Sequence, residues 1–110
     1  MREYKAGEIV EIAFPFEEGT GEKVRPALVL HDYGDELLLI KITSQLKGRE
    51  YDIAISPDDF NGLIKRSAIQ VDKCSKVHKA KLSAIIPRGT INPAQLGIVK
   101  DRLKESLKSK

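Results

Sequence analysis

The spacing of apolar residues is the feature that most limits how this chain can fold. Apolar side chains come in short runs, some of them ended by Pro, Gly or Asp, at 8–14, 27–31, 36–43, 51–55, 67–74 and 82–86. Short runs with partial alternation are typical of β-strands. No aliphatic run is longer than that at 37–40, whereas a membrane helix needs ~20 apolar residues. We therefore expect a small β-rich domain with no membrane association.

The C-terminal segment changes to a helical period. Four apolar residues recur at spacings of three or four, namely Leu96, Val99, Leu103 and Leu107. This stripe predicts an amphipathic helix. Asn92 is a suitable N-cap, Pro93 fits the first helical position, and Gln95 completes a capping box. No repeat or long linker divides the chain, so residues 1–110 are expected to form one domain, mainly β with minor α: a small β-barrel carrying this helix.

Charge is distributed unevenly along the chain. Residues 1–55 carry 7 Lys/Arg against 11 Asp/Glu, whereas residues 56–110 carry 12 against 5. Within 65–81 there are six basic residues and one acidic residue. Such a block suits a polyanionic partner, because each neutralised phosphate releases condensed counterions. It is equally typical of a solvated, lysine-rich face.

Cysteine and histidine usage limits the possible chemistry. Cys74 is the single cysteine, which excludes an internal disulfide, and with two histidines the chain shows no spacing typical of a metal site. We therefore expect no metal and no cofactor. The N-terminal residues lack the apolar stretch of a secretory signal, so a cytoplasmic location is expected.

The turn at 32–35 joins the second and third predicted strands. In a tight hairpin the paired residue numbers sum to about 67, which places Arg25 opposite Ile42 and one position from Thr43. A guanidinium and a hydroxyl would then meet at the open end of the hairpin. A slip of one residue decides whether they share a face. The alternatives are a rim arginine without a role and an ordinary polar strand end.

Five segments together carry a family pattern. They are 7–10, 24–30, 42–45, 67–73 and 88–91, the last followed by the predicted helix. Over nearly the whole chain they resemble the MazF/PemK family, the toxins of type II toxin–antitoxin systems. The resemblance implies an SH3-like barrel of the CcdB/MazF type that forms a homodimer. It also implies a metal-independent endoribonuclease (an mRNA interferase) that cuts single-stranded mRNA at short sequences, and a cognate antitoxin that occupies the RNA groove.

The resemblance places the catalytic roles on Arg25, Thr43 and Asp72. Without a metal, the 2′-OH of RNA attacks its own phosphate, giving a 2′,3′-cyclic phosphate and a 5′-OH. Arg25 is suited to stabilise the negative charge on the phosphate, and Thr43 can position the 2′-OH. Asp72 could act as the base or simply balance the charge of nearby lysines. Some family members have an arginine two residues before the acid as proton donor. That position is Gln70 here, so Arg25 becomes the main cation.

RNA recognition is expected to involve two loops and the basic block. The predicted RNA-binding residues are Glu18, Thr20, Lys23, Ser44, Gln45, Lys47, Arg49, Gln70 and Lys73. The basic residues offer phosphate contacts, whereas an acidic side chain could accept from exocyclic amines of the bases. Tyr51 or Phe16 could stack on a splayed base.

Two alternatives remain open at this stage. One is a non-catalytic barrel of the same fold that binds RNA, an antitoxin or another protein such as DNA gyrase, an interpretation that Gln70 mildly favours. The other is an acid–base pair of His31 and His78, since histidine exchanges protons near neutral pH. The position of these histidines along the chain favours incidental surface residues instead, and Cys74 is expected to be a small buried thiol.

Overall fold

The protein folds as a curled antiparallel sheet followed by one helix. The computed structural model describes residues 2–15 and 22–108. The described elements are β1 (Glu8–Pro15), β2 (Glu22–Asp32), β3 (Glu36–Thr43), β4 (Asp52–Ile55), β5 (Ser67–His78), a 3-10 turn (Lys79–Lys81), β6 (Gly89–Thr90) and α1 (Pro93–Lys108). The strands form one sheet in the order β4-β5-β3-β2-β1-β6. The predicted mainly β fold with a C-terminal helix is confirmed, as a half-barrel whose edge strands are β4 and β6.

Apolar side chains cover both faces of this sheet. On the helix face, α1 closes over the larger core, formed by Ile9, Leu28, Ile40, Ile42, Ile55, Leu63, Ile69, Val71, Ile91 and Val99. On the second face lies a smaller cluster of Tyr4, Val10, Ile12, Ala27, Val29, Leu37 and Leu39. Because successive residues of β1, β2 and β3 enter different clusters, these strands are apolar at both parities.

Strand bounds follow the sequence pattern best in the middle of the chain. β3 coincides with the predicted strand at 36–43, and β4 begins one residue later than predicted. The predicted strand at 82–86 is wrong. Leu82 makes an isolated bridge to β1, and only the amides of Ser83 and Arg88 from this segment donate to β1 carbonyls. Pro87 has no amide to donate, so the segment contacts β1 at separate points instead of forming a ladder.

The predicted helical turn at 56–60, with Ser56 as its N-cap, is also wrong. The nearby amides are bound by Asp58 and not by Ser56: Oδ1 of Asp58 accepts from the amides of Phe60 and Asn61, both at 2.8 Å. The side chain of Asn61 in turn accepts from the Leu63 amide at 3.0 Å. Short polar side chains that bind nearby amides favour a turn over a helix.

The C-terminal helix begins as predicted but its apolar stripe is shorter. Oδ1 of Asn92 accepts from the Gln95 amide at 2.8 Å, and Oε1 of Gln95 accepts from the Asn92 amide at 3.4 Å, which is a capping box. Val99 is fully buried in the helix-face core. Leu107, predicted to extend the stripe, is 61% exposed, whereas Ser106 is buried. The buried side chain of the last turn is therefore Ser106 and not Leu107.

The Asp32 carboxylate at the end of β2 connects the N-terminal segment, the β2–β3 turn and the 3-10 turn. Nζ of Lys79 lies 3.0 Å from Oδ2 of Asp32, which also accepts from the Tyr4 amide at 2.8 Å. The Gly34 amide donates to Oδ1 of the same carboxylate at 2.8 Å. Burial raises the pKa of Asp32, but the two amides and Lys79 together outweigh it and lower this pKa from 3.8 to about 2.

We expect the contribution of Asp32 to stability to depend on pH. Because its pKa is lower in the folded state, the stabilisation is present above about pH 4 and is lost as the pH falls towards 2. Asp32→Asn should therefore lower Tm at pH 7, and the difference from wild type should shrink in acid. Asp35→Asn, an exposed carboxylate in the same turn, is the control and should leave Tm unchanged. A Tm difference that stays constant with pH would contradict the assignment.

Candidate active site

The register of β2 on β3 decides which residues meet at the open end of the hairpin. Ala27 pairs with Lys41 and Val29 pairs with Leu39, so paired numbers sum to 68 in this part of the ladder. The predicted sum was one lower. The prediction that Arg25 lies opposite Ile42 therefore disagrees with the observed register. Next to the turn the paired numbers sum to 69, so the turn is tighter than predicted, and a bulge between Val29 and His31 reduces the sum to 68. One extra residue in β2 has that effect, and the length of the turn does not reveal it.

The observed register places Arg25 and Thr43 on one face. The ladder ends at Ala27 and Lys41, and Arg25 and Thr43 lie two residues further along their strands. Since side chains alternate, both share the second face with Ala27 and Lys41. They lie beyond the end of the small apolar cluster.

The two side chains differ in environment. Arg25 is half-buried, and its side chain makes no hydrogen bond or ion pair with any group in the described part of the chain. Thr43 is only 7% exposed, and its Oγ1 accepts from the Gln45 amide at 3.1 Å. The described residues therefore leave the guanidinium donors to a ligand, whereas the hydroxyl has a fixed position.

Strand β5 brings two more polar residues to this face. Thr43 pairs with Ala68, and Gln70 pairs with Asp52 of β4. The ladder of β5 on β3 shifts register between Ile69 and Cys74. Val71 within the shifted part is buried in the helix-face core. Its neighbours Gln70 and Asp72 consequently lie on the second face with Thr43.

Arg49 joins two of the carboxylates near this face. Its Nη2 donates to Oδ2 of Asp72, and its Nη1 lies 3.6 Å from Oδ1 of Asp52. The Asp52 side chain is 5% exposed. Neither oxygen of Asp52, nor Oδ1 of Asp72, accepts a hydrogen bond from the residues that the structure describes. One guanidinium therefore serves two buried or half-buried carboxylates, a group that we call the Arg49 cluster.

The predicted RNA-binding residues fall in several environments. Ser44, Gln45, Lys47 and Lys73 are exposed. Gln70 is 7% exposed, and Arg49 is engaged by Asp72 and Asp52. Glu18, Thr20, Phe16 and the side chain of Lys23 lie outside the described residues. Tyr51 is half-buried against the helix-face core.

The two histidines lie at the other end of the hairpin. His31 pairs with Leu38 and contacts the Tyr33 ring edge-on, with 4.5 Å between ring centroids. His78 pairs with Glu36, and its Nδ1 accepts from the Ala80 amide at 3.0 Å. This placement separates both imidazoles from Arg25 and argues against an acid–base histidine pair at the open end.

Cys74 is half-buried, as expected for a small packed thiol. Burial raises the pKa of Cys74. A raised pKa keeps the sulfur protonated, and the protonated thiol is a poor nucleophile. The side chain packs against the helix-face core, so it does not serve the site at the open end of the hairpin.

Two residues of this face were missed by sequence reasoning. Asp52 was predicted only as part of a strand, and Lys41 only as a polar position in β3. The alternation of side chains along the strand indicates this position: if Ile53 and Ile55 point inward, Asp52 points to the other face. Its contact with Arg49 depends on the turn between them, in which the Asp52 amide donates to the Arg49 carbonyl at 3.1 Å.

No helix in the described residues is long and apolar enough to cross a membrane. Within residues 2–15 and 22–108, no three His, Cys, Asp or Glu side chains are grouped so as to hold a metal ion.

Comparison with solved structures shows the same fold in several toxins. The MazE–MazF complex of Deinococcus radiodurans (Form-II) matches with a TM-score of 0.77 and 21% identity over 97% of both chains. An endoribonuclease in complex with its cognate antitoxin, from a mycobacterial species, matches at 0.72 and 16% over 96% of both chains. Mycobacterium tuberculosis toxin MazF-mt6 matches at 0.69 and 15%, over 90% of this chain and 96% of that chain.

The sequence pattern identifies the family directly. No individually curated protein matches the chain in sequence. Residues 5–107, however, match the family described as PemK-like, MazF-like toxin of type II toxin-antitoxin system. The match covers nearly the full length and confirms the resemblance found in the five segments. The chain therefore belongs to the PemK-like, MazF-like toxins of type II toxin–antitoxin systems.

Proposed function

We propose that this protein is a metal-independent endoribonuclease that cleaves single-stranded mRNA at specific sequences. Toxins of this family are generally RNA endonucleases. The observation that carries the proposal is the register that places Arg25 and Thr43 on one face, at the end of the β2–β3 hairpin. A cation whose donors no described residue occupies, on the same face as a fixed hydroxyl, suits a phosphodiester whose own 2′-OH is the nucleophile.

Arg25 would stabilise the charge that develops on the phosphorus centre. Its planar fork can donate to two phosphate oxygens at once. Because no described group competes for these donors, binding of the phosphate breaks no ion pair within the described residues. Stabilisation of this kind acts on the pentacoordinate transition state more than on the substrate.

Thr43 would orient the reacting sugar. Its Oγ1 already accepts from the Gln45 amide, so the hydroxyl proton remains to be donated to the 2′-oxygen or a phosphate oxygen. The side chain is buried and held at one position, and fixed placement of reacting groups lowers the barrier of such reactions.

Asp72 is the proposed base. It lies on the same face as Thr43, one of its oxygens binds Arg49, and Oδ1 has no donor among the described residues. The proton of the 2′-OH would pass to this carboxylate as the 2′-oxygen bonds to the phosphorus. The bond from phosphorus to the 5′-oxygen breaks at the same time, and this oxygen takes a proton from water to become the 5′-OH.

The same face would bind both the RNA and a protein partner. Lys47 and Lys73 are exposed and would bind backbone phosphates, while Ser44 and Gln45 offer hydrogen bonds to bases. The solved relatives include MazE–MazF complexes. We propose that a cognate antitoxin covers this face in the cytoplasm, and that the toxin acts as a homodimer.

A non-catalytic barrel is the second candidate. Gln70 is buried where some family members have a proton-donating arginine. A protein without that donor would bind RNA or an antitoxin and leave the phosphodiester intact.

Cleavage of a long mRNA by the purified chain tests these candidates. We expect cuts that leave 5′-OH ends within short recurrent sequences, at the same rate with and without EDTA. A fully double-stranded version of the same RNA is the control and should resist cleavage. Loss of activity with EDTA would contradict the metal-independent mechanism, and binding without cuts would favour the second candidate.

A further inference from the structure

The Arg49 cluster is not explained by the proposed chemistry alone. Arg49 lies in the loop that follows β3, where a basic residue was predicted to bind RNA phosphate. The geometry points to a different role: Arg49 is a positioning residue that fixes this loop beside Thr43 and orients Asp72. This inference rests on the proposed nuclease function and concerns the same face.

The charges of the cluster hold Arg49 in place. Its guanidinium contacts Asp72 on one side and lies 3.6 Å from Asp52 on the other. Asp52 is 5% exposed and has no hydrogen-bond donor in the described part of the chain. A buried carboxylate is costly unless a cation pairs with it. If Arg49 turned to an RNA phosphate, it would leave both carboxylates without their counterion.

The loop between β3 and β4 is fastened at both ends. At its start, the Gln45 amide donates to Oγ1 of Thr43 at 3.1 Å. At its end, the Asp52 amide donates to the Arg49 carbonyl at 3.1 Å, and the Arg49 side chain reaches across to Asp72 on β5. Arg49 thus connects the loop that begins at Thr43 to the strand that carries the proposed base.

Lys47 provides a matched comparison within the same loop. It is exposed and makes no ion pair with any side chain that the structure describes. It is therefore available to a phosphate, whereas Arg49 is not. Both residues are two positions apart and carry the same charge, so their alanine variants change the net charge equally.

Salt dependence and steady-state kinetics separate the two roles. Lys47→Ala should raise KM and reduce the slope of log K for RNA binding against log salt by about 0.7, the effect of one lost phosphate contact. Arg49→Ala should leave that slope and KM unchanged and lower kcat by about 10- to 100-fold, as expected for misplaced reacting groups. A slope reduced by about 0.7 in Arg49→Ala, or an unchanged kcat, would overturn the inference.

Two further variants separate positioning from loss of fold. Arg49→Ala leaves Asp52 and Asp72 unpaired and is expected to lower Tm. The double variant Arg49→Ala/Asp52→Asn removes one of these charges, so Tm should return towards wild type while kcat stays low. Recovery of kcat together with Tm would show that Arg49 acts only through stability and would overturn the inference.

The proposed function and the role of Arg49 can fail separately. If the wild-type chain binds RNA without cutting it, the nuclease proposal fails. The binding slopes of the Arg49 and Lys47 variants, with their Tm values, then still decide whether Arg49 is held by the carboxylates. Equal slopes in those two variants would reject the Arg49 proposal in that case too.

Discussion

Arg25→Ala is expected to abolish RNA cleavage while the protein remains folded. The guanidinium is the cation proposed to meet the phosphate, and loss of such stabilisation costs on the order of 10²–10³ in rate or more. Because the side chain of Arg25 makes no hydrogen bond or ion pair to another described group, its removal should change Tm little. Single-turnover cleavage of the mapped mRNA site measures the rate, and thermal unfolding measures the fold.

A remote arginine controls for the change in net charge. Arg102 lies on α1 and pairs with Glu105 at 3.7 Å within one turn of the helix. Arg102→Ala removes the same charge away from the hairpin and should cleave at close to the wild-type rate. If both variants lose activity equally, or Arg25→Ala keeps wild-type activity, the assignment of Arg25 is wrong.

Gly89→Ala is expected to be strongly destabilising. A Cβ atom at this position would lie 2.5 Å from the carbonyl oxygen of Asn61 and closer still to the carbonyl oxygen of Phe60. These are backbone atoms, and the same Phe60 carbonyl accepts from the Thr90 amide at 2.8 Å. The two segments would have to separate, so we expect a loss of roughly 3 kcal/mol or more in the free energy of unfolding.

Gly97→Ala is the matched control for this substitution. Gly97 lies within α1, and nothing lies within 4 Å of a Cβ added there. Alanine is the better helix former, so this variant should gain about 0.5–1 kcal/mol. Urea unfolding of both variants gives the free energies. A Gly89→Ala variant as stable as wild type would show that the two segments yield without cost.

Local patterns in the sequence predicted the elements that depend on neighbours in the chain. The bounds of β3 follow from its apolar run and the adjacent turn, and the capping box at Asn92 and Gln95 is a four-residue signal. These features need no knowledge of the rest of the fold. The family resemblance added the candidate site residues, because local pattern alone left Arg25 as a possible rim arginine.

Features that depend on distant pairing were not predictable in this way. The bulge in β2 and the register shift in β5 insert residues that no local pattern marks, yet they decide that Arg25, Thr43 and Asp72 share a face. Arg49, close to Asp52 in the chain, can contact Asp72 only because β4 pairs with β5. The apolar segment at 82–86 was predicted as a strand, but it pairs with β1 only through an isolated bridge at Leu82.

The open form of the sheet has a consequence for how copies of this protein behave in solution. Its edge strands are β4, with four residues, and β6, with two. Long, flat edges act as templates on which another chain adds strands and begins to aggregate. β4, however, pairs only with Ser67–Gln70 of the 12-residue β5, so among the described strands the rest of β5 has no neighbour on its outer side. The exposed Lys73 and Lys76 lie on this stretch, and lysines on an open edge disfavour the addition of a strand from another chain.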